Sequence, residues 1–216
     1  MPTCLGANPD PLLPQSERGS DALMLVSTGV GPSLLGEAAY ARYRLVDPAA
    51  PELTTLPIGT VFLASGPVDG RVATIPNLAL VARSGTTPRA PCRHVFAHHL
   101  LLDRNCAVGD DCPCENGDTF CPLPGFVELT PPAGIEILVI PDDTATLQAL
   151  RAELRPNQPE VDGILGTSAL RALEMDIDYP HDRVLARCTT AACFMRAALP
   201  EQTARRTVRR CLDVKF

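Results

Sequence analysis

The chain has 216 residues, 45% of them hydrophobic, and a formal net charge of −6. That length suits one domain or two small ones, with enough apolar side chain for a real core. No long run of one charge sign occurs, so nothing points to nucleic acid or an anionic membrane as a partner, and no apolar stretch approaches the length of a membrane span. Aromatic residues make up only 4% and Trp is absent, so the core must come mainly from Leu, Val, Ile and Ala. The 22 prolines favour a loop-rich β architecture over a helical bundle. Every basic residue except Lys215 is arginine, and with abundant Ala this bias has the look of a GC-rich genome, which raises Pro whatever the fold.

In chain order, residues 1–20 are rich in Pro, Gly, Ser and Asn and read as a linker or loose arm. Residues 21–30 form an apolar run ending at a turn, as expected of a buried strand. Pro32 is placed to open a helix over 33–43. A β ribbon follows over 57–82, with a turn predicted at Gly66–Gly70 and a further strand over 77–82. The segment 84–125 is polar, Pro- and Cys-rich and weakly periodic, and reads as a long surface insertion stapled by disulfides. Ile135–Ile140 is a strongly apolar strand ended by Pro141, and 143–155 is an amphipathic helix carrying Leu147, Leu150 and Leu154 on one side. Val161–Gly166 is a short buried strand, after which Thr167 is a credible N-cap for a helix over 168–174. Residues 175–179 and 183–188 close the pattern as a hairpin. The last segment, 189–216, reads as a basic helical tail whose Arg196, Arg205, Arg206, Arg209 and Arg210 lie on a solvated face. No internal repeat is visible.

Two segments carry a specific pattern. Leu25-Val-Ser-Thr-Gly-Val-Gly-Pro-Ser-Leu-Leu35 is an apolar strand running into a Ser-Thr-Gly turn. Much later, Val161-Asp-Gly-Ile-Leu-Gly166 leads into a short helix and a strand ending Asp178-Tyr179. Their form and order resemble the two signatures of pepsin-like and retropepsin-like aspartic peptidases. The first matches through Val26, Thr28, Gly29, Ser33 and Leu34, the second through Ile164, Leu165, Gly166, Leu170, Asp178 and Tyr179. The resemblance spans residues 21–188 and is motif-grade at its two ends. It implies a mainly β fold: a single β-barrel lobe with short helices, interrupted by the Cys-rich insertion, in which the strands at 21–29 and 161–166 cross at the floor of a cleft. It also implies a second such lobe, fused or supplied by a homodimer, because family catalysis uses two aspartates that share a proton. One serves as general base on water and the other as general acid, since neighbouring carboxylates do not both ionise cheaply.

Ser27 stands where the resemblance places the catalytic aspartate. A hydroxyl, which ionises only far above neutrality, does not replace a carboxylate as general base. A symmetric dimer of this chain would have no carboxylate at its dyad. Asp21, Asp69 and Asp162 are the nearest substitutes by sequence, and none lies in an Asp-Thr-Gly context. Serine nucleophilicity would need a base among His94, His98, His99 and His181 and lacks the Gly-x-Ser-x-Gly elbow. Thr28 is left with a structural role in the turn. The expected function is therefore a non-catalytic aspartic-peptidase-like domain, binding a peptide or serving as a structural module. The alternative is one lobe of an active endopeptidase whose other lobe supplies the Asp-Thr-Gly.

The nine cysteines are many for a reduced compartment. Cys92, Cys106, Cys112, Cys114 and Cys121 cluster in the insertion, and Cys188, Cys193 and Cys211 near the end. A zinc site built with His94, His98 and His99 would want close ligand pairs at both ends, whereas only Cys112 and Cys114 are close. Disulfides are the preferred reading, with the odd cysteine of the insertion bonding to Cys4 or to the C-terminal group, or staying free. Asp110-Asp111 and Glu115–Asp118 lack EF-hand spacing, and no metal or cofactor is expected. The first residues lack the basic and apolar regions of a signal peptide. The cysteines and that start are reconciled if the chain is the C-terminal part of a longer exported protein, placing it outside the cytoplasm. A reduced cytoplasmic protein is the other reading.

Overall fold

A computed structural model describes residues 1–6, 19–63, 65–81, 92, 126–153, 160–178, 183–196 and 214–215. Strands predominate over a few short helices, as the composition requires. The strands are β1 (Pro2–Gly6), β2 (Gly19–Val26), β3 (Ser33–Gly36), β4 (Ile58–Leu63), β5 (Gly66–Ile75), β6 (Asn77–Val81), β7 (Phe126–Leu129), β8 (Ile135–Ile140), β9 (Gly163–Leu165), β10 (Leu173–Asp178), β11 (Arg183–Cys188), β12 (Cys193–Arg196) and β13 (Val214–Lys215). The α-helices are α1 (Glu37–Val46), α2 (Ala145–Glu153) and α3 (Thr167–Leu170).

Ten strands form one sheet in the order β12-β7-β6-β1-β2-β9-β3-β8-β5-β4, and β10, β11 and β13 form a second. The terminal strands β12 and β4 do not pair with each other. Among the described residues the ten-stranded sheet is therefore open, and the expected closed barrel is not found.

At the centre, β2 and β3 are consecutive in the chain, yet β9 lies between them. Met24, Leu25 and Val26 register with Gly163, Ile164 and Leu165 in a parallel ladder. On the other side, Leu34 and Leu35 face Ile164 and Gly163 in an antiparallel one. With partners on both flanks and cover on both faces, β9 and β3 are wholly buried, which is why both read as continuous apolar runs. Tyr40, Tyr43, Met24, Leu35, Leu80, Leu129 and Ile137 belong to the main core. Helix α1 enters it through Ala39, Tyr40 and Tyr43, the inner face of a helix that leaves Leu45 in solvent. Among the described residues no helix is long and apolar enough to cross a membrane.

Several sequence expectations are corrected. Residues 2–6 are not a loose arm: β1 sits between β2 and β6, with Thr3, Cys4 and Leu5 fully buried. The Pro, Gly and Asn that made this region read as a linker lie mostly in 7–18, outside the described residues. Pro32 opens strand β3, not a helix, and α1 begins four residues later than the apolar pattern allowed, at Glu37. The β4–β5 ladder runs up to the pair Leu63 and Gly66, with Gly66 at a φ of +108° that an L side chain rarely adopts; Gly66–Gly70 is strand and not the expected turn. Cys193–Arg196 is strand β12 paired with β7, and Val214–Lys215 is strand β13, so the helical reading of the tail fails at both places. Ala79 of β6 faces Glu128 of β7 in an antiparallel ladder, so 82–125 connects two adjacent strands. Apart from Cys92, that insertion lies outside the described residues.

Candidate functional site

The turn that follows β2 is held by the segment that follows β9. The Ser27 N–H donates to the Leu165 carbonyl at 3.0 Å, continuing the parallel ladder one residue into the turn. The first N–H groups of α3 have no partners inside their own helix. Thr167 N–H donates to the Val30 carbonyl at 2.9 Å and Ser168 N–H to the Gly31 carbonyl at 2.9 Å, so the turn caps the helix. The Thr167 hydroxyl donates to the Gly31 carbonyl as well, at 2.9 Å. Thr167 is thus the first helical residue and not the expected side-chain N-cap, a position that Gly166 occupies.

Behind this turn lies a hydroxyl pair, Ser33 buried and Ser168 half-buried. The Ser33 Oγ accepts from the Gly166 N–H at 3.0 Å and stands 3.0 Å from the Ser168 Oγ, which also accepts from the Ser33 N–H at 2.9 Å. Ser168 Oγ reaches the Glu136 carbonyl at 3.2 Å. Ser168 therefore ties α3 to β3 and β8, and Ser33 ties β3 to the residue that follows β9. A Cβ at Gly166 would collide with the carbonyl oxygens of Pro32 and Val30, so only glycine lets the two segments approach this closely.

Of Ser27, Thr28 and Gly29, Ser27 is bonded through its N–H to Leu165, in the segment Ile164–Gly166. Ser27 is half-buried, while Thr28 and Gly29 are exposed at the tip. Asp178 is placed differently. It ends β10 opposite Arg183, in the three-stranded sheet, and Tyr179 lies outside the described residues.

None of the three alternative carboxylates stands at the turn. Asp162 is buried and fully engaged: its Oδ2 accepts from the Leu23 N–H at 2.7 Å, and its Oδ1 pairs with Arg42 Nη2 at 2.6 Å. Asp162 is the buried member of this pair, and removing Arg42 would take the cation from a buried carboxylate, which marks Asp162 as structural. Asp69 accepts from the Thr60 hydroxyl at 2.6 Å on the β4–β5 hairpin. Asp21 is half-buried on β2 opposite Cys4.

A pocket of about 420 Å³ opens beside the turn. Gly31 and Pro32 of the turn form one wall, and Ser168 of α3 and Glu136 and Leu138 of β8 the floor. Gly59 and Thr60 of β4 with Val72 of β5 complete it. Its outer rim is β4, an edge strand that pairs only with β5 among the described residues. Ile58 and Phe62 flank Thr60 on one face of that strand and are 72% and 82% exposed. Little in the sequence points to this pocket, because its lining comes from five separated segments, each unremarkable alone. The one available signal was β4 itself, an uncharged Ile-Gly-Thr-Val-Phe-Leu run with apolar residues on both faces.

Two disulfides are present among the described residues. Cys4 of β1 bonds to Cys92, and Cys188 of β11 bonds to Cys193 of β12. The first selects Cys4 from the partners left open for the insertion; Cys106, Cys112, Cys114, Cys121 and Cys211 lie outside the described residues, as do His94, His98, His99 and His181. No family model, curated protein or solved structure matches the chain.

Proposed function

We propose that this chain is a non-catalytic, aspartic-peptidase-like module that binds an extended peptide in the pocket beside its degenerate turn. The observation that carries the reading is the meeting of that pocket with β4, an edge strand that pairs only with β5 among the described residues. An edge strand offers unpaired backbone groups to a peptide that adds as a further strand, while a neighbouring pocket receives one of its side chains. The exposed Ile58 and Phe62 supply apolar contact along the same line.

The absence of turnover follows from Ser27. Its N–H is committed to Leu165, its hydroxyl does not ionise in the working range, and Asp21, Asp69 and Asp162 are placed elsewhere. The exposed tip at Thr28 and Gly29 favours one further arrangement, in which a second lobe of this kind, from a homodimer or a separate segment, faces the turn. An active enzyme would then depend on an aspartate from that lobe. The two disulfides support a working place in an oxidising compartment outside the cytoplasm. The test is incubation of the purified protein with a mixed peptide pool from pH 3 to 7, followed by mass spectrometry. Retention of intact peptides is expected, and pepstatin-sensitive cleavage would overturn the non-catalytic reading.

A further inference from the structure

We infer that the pocket beside the turn selects a basic side chain, arginine above all, and that Glu136 is the residue that selects it. The inference rests on the peptide-binding reading and adds the chemistry of the residue that enters.

The pocket has the layered build that a long cationic side chain needs. Val72 and Leu138 give apolar wall, suited to the methylene stem of such a side chain, which buries readily while its charged head seeks a polar partner. That partner is Glu136. No lining residue is basic and one is acidic, so the pocket is negative and uncompensated from within. Glu136 is exposed on β8 and makes no ion pair with any described residue. The nearby cation is turned away: Arg71 Nη1 donates to the Leu56 carbonyl at 3.0 Å.

At the rim, β4 packs close against this apolar wall: a Cβ at Gly59 would sit 2.7 Å from Val72 Cγ2 and 3.0 Å from Leu138 Cδ1, too near for a side chain larger than that of glycine. The site thus combines an apolar wall with a carboxylate, the combination that pairs with the stem and planar guanidinium of an arginine.

The test uses a short capped peptide of alanine and leucine with one central arginine, beside the same peptide with citrulline, which keeps the shape and removes the charge. Binding to the full chain is followed by fluorescence anisotropy at low salt. The arginine peptide is expected to bind about two- to fivefold more tightly, the span of an exposed ion pair, and the difference should shrink as salt rises. Glu136→Gln, a change at an exposed position, should bring the two peptides to equal affinity while leaving the urea midpoint in place. Equal binding of arginine and citrulline to the wild-type chain, or a preference that survives Glu136→Gln, would overturn the inference and leave the peptide-binding reading standing. Failure of both peptides to bind would sink that reading and the inference with it.

Discussion

Ser33 shows how much of this fold turns on single polar atoms. Its hydroxyl is fully buried and satisfies the N–H of Gly166, a donor that β9 leaves behind as it ends. Replacing Ser33 by Ala strands that N–H away from water, and an unsatisfied buried donor costs about 1–3 kcal/mol. Ser33→Ala should lower the urea midpoint accordingly, with the slope of the transition unchanged. Glu128 is a second such residue. It lies on β7 between Ala79 of β6 and Phe194 of β12, it is 3% exposed, and burial pushes its carboxyl up to about 7 from 4.5. Between those two values the unfolded chain has lost the proton while the folded chain keeps it. The Glu128 contribution is thus fully present below pH 4.5 and declines as pH rises to 7, by on the order of 3 kcal/mol. Glu128→Gln should remove that decline, so the stability difference between variant and wild type should widen in favour of the variant from pH 4.5 to 7. A constant difference would contradict the account. Burial likewise raises the hydroxyls of Tyr40 and Tyr43, the latter also donating to Asp47 at 2.7 Å, so both stay protonated under the helix.

Among the elements, β9 has the largest consequence for its length. Three residues join two halves of the sheet, and the turn on one side and α3 on the other are each held by the other's backbone groups. The sequence announced this element through its glycines and its continuous apolar run, because a strand buried on all sides has no polar face to hide. It announced β8 for the same reason. It did not announce β1, whose Pro-Thr-Cys-Leu-Gly composition carries no periodicity and whose burial depends on partners far along the chain. Nor could local pattern place the edge of α1, since Ser33–Gly36 satisfies helical and strand periodicity equally and the decision is made by pairing with β8 and β9. Strand β1 is also where the Cys4–Cys92 bond acts. Closing a loop with a sequence separation of 88 restricts the unfolded chain by about 4.6 kcal/mol in the loop-entropy model. Replacing Cys4 and Cys92 together by Ser should lower stability by about that amount, and reductant should destabilise the wild type far more than this variant. Equal sensitivity to reductant would show that this bond contributes little.

For the whole molecule, the mainly β character and the joining of the two signature segments were legible from residues 21–36 and 161–170. The arrangement of the sheet was not. A closed barrel was expected, and an open ten-stranded order with β4 at its rim is observed, a difference that lies in long-range pairings no local pattern encodes. That difference shapes the functional account, because the rim is what offers a peptide a strand to join. The pocket was likewise invisible in sequence, being assembled from positions as distant as Gly31 and Ser168. The central claim is that the site beside Ser27 holds a peptide and leaves it uncut. The most direct measurement is equilibrium binding of the arginine peptide at mildly acidic pH, with recovery and mass analysis of the same peptide afterwards. Saturable binding with the peptide recovered whole is the expected result; cleavage at the bound peptide, lost on adding pepstatin, would contradict the account.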